Sequence, residues 1–150
     1  LKPGDWPGFR GPNRDGISGE RLPRTDWSEN PPTLLWRRPI EPGWGSFAAV
    51  DGLLFTQEQH DENEAVVCYD ADTGEAKWRF TYPARFQEPT SGAGPRATPT
   101  FHDGALYCQG ATGTLVALDA ATGKERWRAD PKADSGAKLP DWAFSGSPAV

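Results

Sequence analysis

The chain has 150 residues, of which 36% are hydrophobic and 25% are charged, with 17 Gly and 15 Pro. This turn-rich composition excludes collagen, a coiled coil and a helix bundle. No apolar run approaches the roughly 20 residues that a membrane-spanning helix needs. The formal charge of −5 argues against a general nucleic-acid binder, because phosphate binding needs a basic surface.

The two ends indicate a piece of a longer protein. The chain contains no Met and stops at Val150 inside an apolar, strand-like run. Because such a stop leaves an unpaired strand edge, we expect a processed or trimmed sequence that is oligomeric or aggregation-prone in isolation. A signal peptide removed from the N-terminus is compatible with this interpretation.

The first 33 residues of the chain differ in pattern from the rest. Residues 1–33 are punctuated by Pro, Gly, Asn and Asp without a lasting period, which predicts an irregular arm. After it, short runs of β-formers alternate with turn signals. Asp51-Gly52 and Asp103-Gly104 each separate two apolar runs, a strong hairpin signal. The sequence therefore predicts an all-β fold without a helical face of useful length.

The β-rich part repeats itself. DADTGEAKWR (70–79) and DAATGKERWR (119–128) match at six of ten positions, and Trp78 and Trp127 lie 49 residues apart. Trp36, in LLWRRP, resembles the tail of an earlier cycle, and FSGSPAV begins a later one. A period near 50 residues with four short strands is typical of propeller blades.

The repeated residues have a structural explanation. One four-stranded sheet cannot bury both of its faces, so the blades must stack. An Asp…Thr-Gly turn supplies a local acceptor and a Gly that tolerates positive φ, and the following Trp can fill the gap between sheets. We assign this structural role to Trp36, Asp70, Gly74, Trp78, Asp119, Gly123 and Trp127.

The motif D-A-x-T-G-[KE]-x-x-W, found twice, resembles the tryptophan-docking repeat of pyrroloquinoline-quinone-like (PQQ-like) β-propellers. That superfamily includes quinoprotein alcohol dehydrogenases and BamB-type assembly lipoproteins. The leader WPGFRGPNRDGIS resembles the start of secreted bacterial proteins of this type. The resemblance implies about eight blades of four antiparallel strands around a channel, of which this chain supplies two to three. It also implies a periplasmic or extracellular location, and it leaves a lipid anchor open.

On this basis we predict a domain organisation. The irregular arm covers 1–33 and the partial propeller covers 34–150. Within the propeller we expect a closing strand at 34–40, blades at 44–80 and 96–129, and the start of the next blade at 143–150.

Candidate binding residues lie in the segments that lead into each blade, at 41–47, 88–99 and 138–148, and in the long connections 81–96 and 129–144 to which the last two leads belong. The resemblance places these leads on one face, at the channel mouth. Arg96 could bind a carboxylate bidentately, and Trp44 or Trp142 could stack on a planar ring. Packing within the loops is the alternative role. The candidates are Trp44, Arg85, Glu88, Arg96, Asp141, Trp142 and Ser145.

Catalytic signals are weak. GAGPRA (92–97) lacks the strand and helix of a dinucleotide site, and EQHDENE (58–64) is typical of a solvated acidic turn rather than a metal site. His60 and His102 have no visible nucleophile partner. Cys68 and Cys108 are predicted to be buried apolar residues, with a disulfide as the alternative. No cofactor is evident, and no metal site.

The favoured function is a binding or assembly scaffold of the BamB type, whose partner is a protein or a small-molecule or glycan ligand at the channel mouth. One alternative is part of a dehydrogenase that uses PQQ and calcium. That alternative needs a vicinal Cys pair and calcium ligands from blades outside this chain. The other alternative is a glycan-binding propeller that uses the aromatic loops.

Overall fold

The structure is a computed structural model that describes residues 1–20 and 26–150; positions 21–25 of the predicted arm lie outside the described residues. Its elements form two four-stranded antiparallel sheets and a small hairpin between them. The first sheet consists of β1 (Ala48–Val50), β2 (Leu53–His60), β3 (Asn63–Asp70) and β4 (Ala76–Pro83). The hairpin consists of β5 (Gln87–Glu88) and β6 (Gly92–Ala93). The second sheet consists of β7 (Thr100–His102), β8 (Ala105–Gln109), β9 (Leu115–Asp119) and β10 (Glu125–Ala129).

Both sheets have the simplest strand order. Each strand pairs with its neighbour in sequence, so β1 and β7 each lie at one edge and β4 and β10 at the other. This arrangement confirms the predicted all-β fold built from four-stranded antiparallel blades.

The predicted Asp-Gly hairpins are confirmed by their backbone angles. Asp51 and Gly52 have φ of 51° and 76°, and Asp103 and Gly104 have 44° and 70°. Two consecutive positive φ values produce the tight turn whose twist matches that of the flanking strands, and Asp-Gly tolerates this conformation.

The Asp…Thr-Gly turns are stabilised by hydrogen bonds within each turn. The Asp70 Oδ1 accepts hydrogen bonds from the backbone N–H groups of Asp72 and Thr73, both at 3.0 Å. Asp119 Oδ1 accepts from Thr122 N, also at 3.0 Å. The glycines that complete these turns, Gly74 and Gly123, have φ of 72° and 70°.

Each of these turns lies against a tryptophan of the preceding repeat. The Trp36 indole N–H donates to the carbonyl of Ala71 at 2.9 Å, and the Trp78 indole donates to that of Ala120 at 3.1 Å. A Cβ atom added to Gly74 or Gly123 would come within 2.6 Å of the corresponding ring. The turn therefore needs glycine for close contact with the indole as well as for its backbone angle.

The main core lies between the two sheets. Phe55 of β2 is the largest fully buried side chain in it, with ring centroids 5.9 Å from Trp78 and 6.4 Å from Phe101. Cys68 and Cys108 both belong to this core and are unpaired, so their predicted burial is confirmed and the disulfide alternative is wrong.

The N-terminal arm lies across the inner edge strands of both sheets. Trp6 and Ala49 of β1 exchange two backbone hydrogen bonds, of 2.6 and 2.8 Å, and Phe101 of β7 donates its N–H to the Pro7 carbonyl at 2.7 Å. Further along, the Arg14 guanidinium donates to the carbonyls of Ser147 and Pro148. The arm thus satisfies backbone groups that an open sheet edge would leave unpaired.

Two segments of the predicted propeller form no strand pairing within the described part of this chain. Residues 34–40 form no strand, and within the described chain their backbone makes no hydrogen bond to another backbone group. They are held by side chains instead, since Trp36 binds Ala71 and Arg38 donates to the Gly74 carbonyl at 2.9 Å. Residues 143–150 also form no strand; besides hydrogen bonds to the neighbouring lead and to the arm, Phe144 donates its backbone N–H to the Ala111 carbonyl at 2.9 Å. The closing strand at 34–40, the start of a blade at 143–150 and the other domain boundaries stay predictions.

One helical turn, α1 (Pro131–Ser135), was not predicted. Asp130 caps it by accepting from Ala133 N at 3.0 Å, Pro131 occupies the first turn, and Gly136 ends it with a φ of 67°. These are ordinary start and stop signals, but five residues are too few to show a helical period. In the part of the chain that the structure describes, no helix is long and apolar enough to cross a membrane.

Candidate functional site

A cavity of about 330 Å³ lies where the three leads converge with the N-terminal arm. Its lining combines two aromatic rings, two guanidinium groups and four hydroxyl groups. The lining residues are Phe9, Arg14, Trp44, Ser46, Arg96, Thr98, Ser145, Gly146 and Ser147.

Hydroxyl groups at equivalent positions of the three leads join one lead to the next. Ser46 donates its backbone N–H to Thr98 Oγ1 at 3.0 Å, and the two hydroxyl oxygens are 2.9 Å apart. Thr98 in turn donates its N–H to Ser147 Oγ at 2.9 Å. The separations of 52 and 49 residues follow the repeat, so this part of the cavity wall is built by the repeat itself.

Arg96 is the central cation of the site. Its side chain is only 7% exposed, and its guanidinium lies 5.1 Å from the Phe86 ring centroid and 6.0 Å from that of Trp44. The Nη2 atom donates to the Gly92 carbonyl at 3.0 Å and to Ser91 Oγ at 3.2 Å. Among the described residues, the buried Nη1 has no hydrogen-bond partner.

Glu88 is the acidic neighbour of Arg96, at 3.4 Å. Most of its hydrogen bonds go elsewhere, since it accepts from the Ser91 hydroxyl and from the backbone N–H groups of Thr90 and Ser91. The Ser91 hydroxyl is the main reason that the pKa of Glu88 is lowered, and the Arg96 charge contributes least. Glu88 therefore belongs chiefly to the β5–β6 turn.

The structure brings together only some of the predicted site residues. Trp44, Arg96 and Ser145 line the cavity, and Glu88 lies behind Arg96. Arg85 lies away from it, donating to the Asp61 carbonyl and to Gln87 Oε1. Asp141 and Trp142 are exposed outside the cavity lining, with Trp142 59% exposed.

Five side chains of the cavity were missed. Ser46, Thr98 and Ser147 could have been found by aligning the leads, because Ser46 and Thr98 each come two residues before an inner strand and Ser147 follows Thr98 at the repeat interval. Phe9 and Arg14 carried no signal, since the arm has no period and its docking depends on contacts with residues about 40 to more than 130 positions away.

The acidic segment 58–64 is solvated only at its hairpin turn, so the predicted solvated acidic turn holds for 61–62 and is wrong for the flanking acids. Asp61 and Glu62 are exposed at the tip, but Glu58, Gln59 and Glu64 are buried. Strand pairing continues through these residues, and alternation points Glu58 and Glu64 to opposite faces of the sheet. Glu58 accepts from the Tyr69 hydroxyl and contacts His60 Nε2 at 2.9 Å.

Glu64 lies at the junction of the two sheets. It accepts a hydrogen bond from the Tyr82 hydroxyl at 2.7 Å and another from Ala111 N, in the β8–β9 turn, at 3.0 Å. Burial is the main cause of its raised pKa, and these two hydrogen bonds oppose the rise. The Glu64 carboxylate thus connects the first sheet to the β8–β9 turn of the second sheet.

The fold and repeat match a known family. A family model described as outer membrane protein assembly factor BamB matches residues 18–149. The chain belongs to this family. Membership agrees with the predicted PQQ-like propeller repeat.

Relatives of this BamB family member have diverse names. The chain is 51% identical over 39 residues to quinohemoprotein alcohol dehydrogenase ADH IIB of Pseudomonas putida, which covers 26% of this chain and 6% of that protein. It is 39% identical over 88 residues to serine/threonine-protein kinase AfsK of Streptomyces griseus, which covers 58% of this chain and 10% of that protein. The chain therefore spans a tenth or less of these curated relatives.

A solved structure shares the fold. Quinohemoprotein alcohol dehydrogenase from Comamonas testosteroni superposes with a TM-score of 0.61 at 22% identity, over 85% of this chain and 19% of that one. At this identity the likeness shows the fold alone, because propellers serve both as catalysts and as scaffolds.

The calcium of a quinoprotein does not fit the described residues. Within residues 1–20 and 26–150, no group of three or more His, Cys, Asp or Glu side chains could hold a metal ion. The cavity presents Arg14 and Arg96, and guanidinium groups repel a cation that needs carboxylate oxygens.

Proposed function

We propose that this chain is a section of a periplasmic or extracellular propeller that acts as a binding or assembly scaffold, with the leads and the arm as its contact surface. The observation that carries the proposal is the cavity at the meeting point of the leads, which has cations and rings but no acid. Such a lining can bind a ligand group, and it lacks the carboxylate or histidine that a general base would require.

The surroundings of the cavity favour a polypeptide partner. Trp44 and Trp142 are 61% and 59% exposed on the leads, and Phe9 is exposed on the arm. Exposed aromatic rings beside an arginine are the residues that most often carry binding energy at protein interfaces.

The alternative is a section of a PQQ-dependent and calcium-dependent dehydrogenase. It would require the metal ligands to come from blades outside this chain. The fold is common to both functions, so the fold does not choose between them. The lining of the cavity favours the scaffold, because the guanidinium groups of Arg14 and Arg96 oppose binding of calcium.

Two measurements on the full-length protein test the proposal. After reconstitution with PQQ and Ca²⁺, we expect no dye-linked oxidation of alcohols or sugars above an untreated control. A photo-crosslinking amino acid at Trp142 should form an adduct with one partner protein in cells, whereas the same group at Lys124, on the opposite turn, should not. Dye reduction together with no adduct at position 142 would overturn the scaffold function.

A further inference from the structure

We propose that the cavity between the leads and the arm binds the carboxylate of an acidic side chain on the partner polypeptide. The inference rests on the proposed scaffold function and names the chemical group that the scaffold recognises. It depends on the charge of the cavity, on one unpaired donor and on how the hydroxyl groups are already used.

The charge of the cavity is positive. Arg14 approaches it from the arm and Arg96 from the second lead, and none of the lining residues is acidic. Two guanidinium groups around a small volume attract an anion, and the attraction is stronger where water is partly excluded. Because the whole chain carries a formal charge of −5, this local excess is not a general property of its surface.

Arg96 retains an unused donor. Its Nη2 is occupied by Gly92 and Ser91, but Nη1 is buried without a hydrogen-bond partner within the described residues. Leaving a buried charged donor unsatisfied costs free energy, which a carboxylate would recover. The Arg96 guanidinium and the largely exposed Trp44 ring, 6.0 Å apart, both line the cavity, so a ligand in the cavity lies next to the guanidinium.

Glu88 does not fill this role. Its contact with Arg96 is made at 3.4 Å and goes to Nη2 rather than to Nη1. Its oxygens already accept from Thr90 and Ser91. A carboxylate from a partner can therefore bind Arg96 without displacing Glu88.

The remaining polar groups favour an acidic side chain over a sugar. Ser46, Thr98 and Ser147 already use their hydroxyl groups in hydrogen bonds between the leads. A sugar needs many free donors and acceptors, whereas one acidic side chain next to an apolar residue needs a cation and an apolar wall. Arg96 supplies the cation, and Phe9 and Trp44 supply the wall.

The arm completes the site. Arg14 is held by the carbonyls of Ser147 and Pro148, at 3.1 and 2.8 Å, and this contact fixes one side of the cavity. Since the arm also binds β1 and β7, it covers the inner edges beneath the cavity. The partner side chain therefore enters from the side of the leads.

Fluorescence anisotropy on the full-length protein tests this inference. The probes are the fluorescein-labelled peptides Leu-Glu-Leu-Glu-Leu and Leu-Gln-Leu-Gln-Leu, compared at low ionic strength. A charged hydrogen bond predicts about tenfold tighter binding of the Glu peptide. Arg96→Gln should bring the two affinities together, Arg96→Lys should keep part of the preference, and Arg85→Gln should keep all of it.

Three results would overturn the inference. Equal affinity of the wild-type protein for the two peptides would exclude carboxylate recognition, without need of a variant. An equal loss of preference in Arg85→Gln would assign it to general surface charge. If glucuronate displaces the Glu peptide at a lower concentration than glutarate does, the ligand is an acidic sugar. Partner adducts at position 142 combined with equal peptide affinities would leave the scaffold function standing and remove only the carboxylate.

Discussion

Trp78 and Trp127 occupy the same position in two successive repeats, yet their surroundings differ. Trp78 packs against Phe55 and donates its indole N–H to Ala120 of the following repeat. Trp127 contacts Tyr107 of its own sheet at a centroid distance of 6.0 Å and is 44% exposed. The motif therefore stabilises a contact between repeats. The stability that its tryptophan contributes depends on whether the turn of the next repeat packs against the indole ring.

Replacing each of the two tryptophans should give the largest difference in the free energy of unfolding. Trp78→Ala removes a ring from the core between the sheets and should reduce the free energy of unfolding by about 3 kcal/mol. Trp127→Ala removes a ring that is nearly half exposed and should cost about 1 kcal/mol in this 150-residue chain. Urea unfolding followed by circular dichroism measures both. Equal losses would show that the contact with the following turn adds nothing.

The glycine under the ring should give the next largest effect. Gly123→Ala forces a side chain into a φ of 70° and brings its Cβ within 2.6 Å of the Trp78 ring, so we expect a loss of about 2 kcal/mol. Gly52→Ala is the matched control, with a φ of 76° and open space around the added atom. It should cost about 1 kcal/mol from backbone strain alone. The same urea unfolding assay on both variants separates strain from crowding.

Glu64 should give the smallest effect, visible as a pH dependence. Burial raises its pKa in the folded protein above 4.5. Between pH 4.5 and this raised value, the folded state therefore binds more protons than the unfolded state. Its contribution to stability is then fully present below pH 4.5 and is lost as the pH rises through the raised value. Glu64→Gln should therefore gain stability relative to wild type between acidic and neutral pH.

The control for Glu64 is its exposed neighbour. Glu62→Gln changes the same charge at the tip of the β2–β3 hairpin and should show no such trend. The titration of Asp119 changes the stability in the opposite direction and at lower pH. Arg126 is the main cause of its pKa falling to about 2, so its contribution is lost as the pH falls. A wild-type melting temperature that rises relative to Glu64→Gln toward pH 7 would contradict the assignment.

The recurrence of Asp, Gly and Trp made the blades predictable, because turn conformation and strand alternation depend on residues a few positions apart. Asp51-Gly52 determined a hairpin independently of the fold of the rest of the chain. The closing strand at 34–40 stays a prediction for the converse reason. A strand exists only when another backbone pairs with it, and its apolar residues gave no information about a partner.

The binding site followed a different rule. The residue types in the leads pointed to Trp44, Arg96 and Ser145, but only packing could separate them from Arg85, Asp141 and Trp142. Phe9 and Arg14 reach the cavity because the arm pairs with β1 and β7, and the Arg14 contact joins residues 134 positions apart. Repeat, turns and fold class were thus encoded locally. The cavity and its charge arose from long-range contacts, which depend on where the whole chain places its segments.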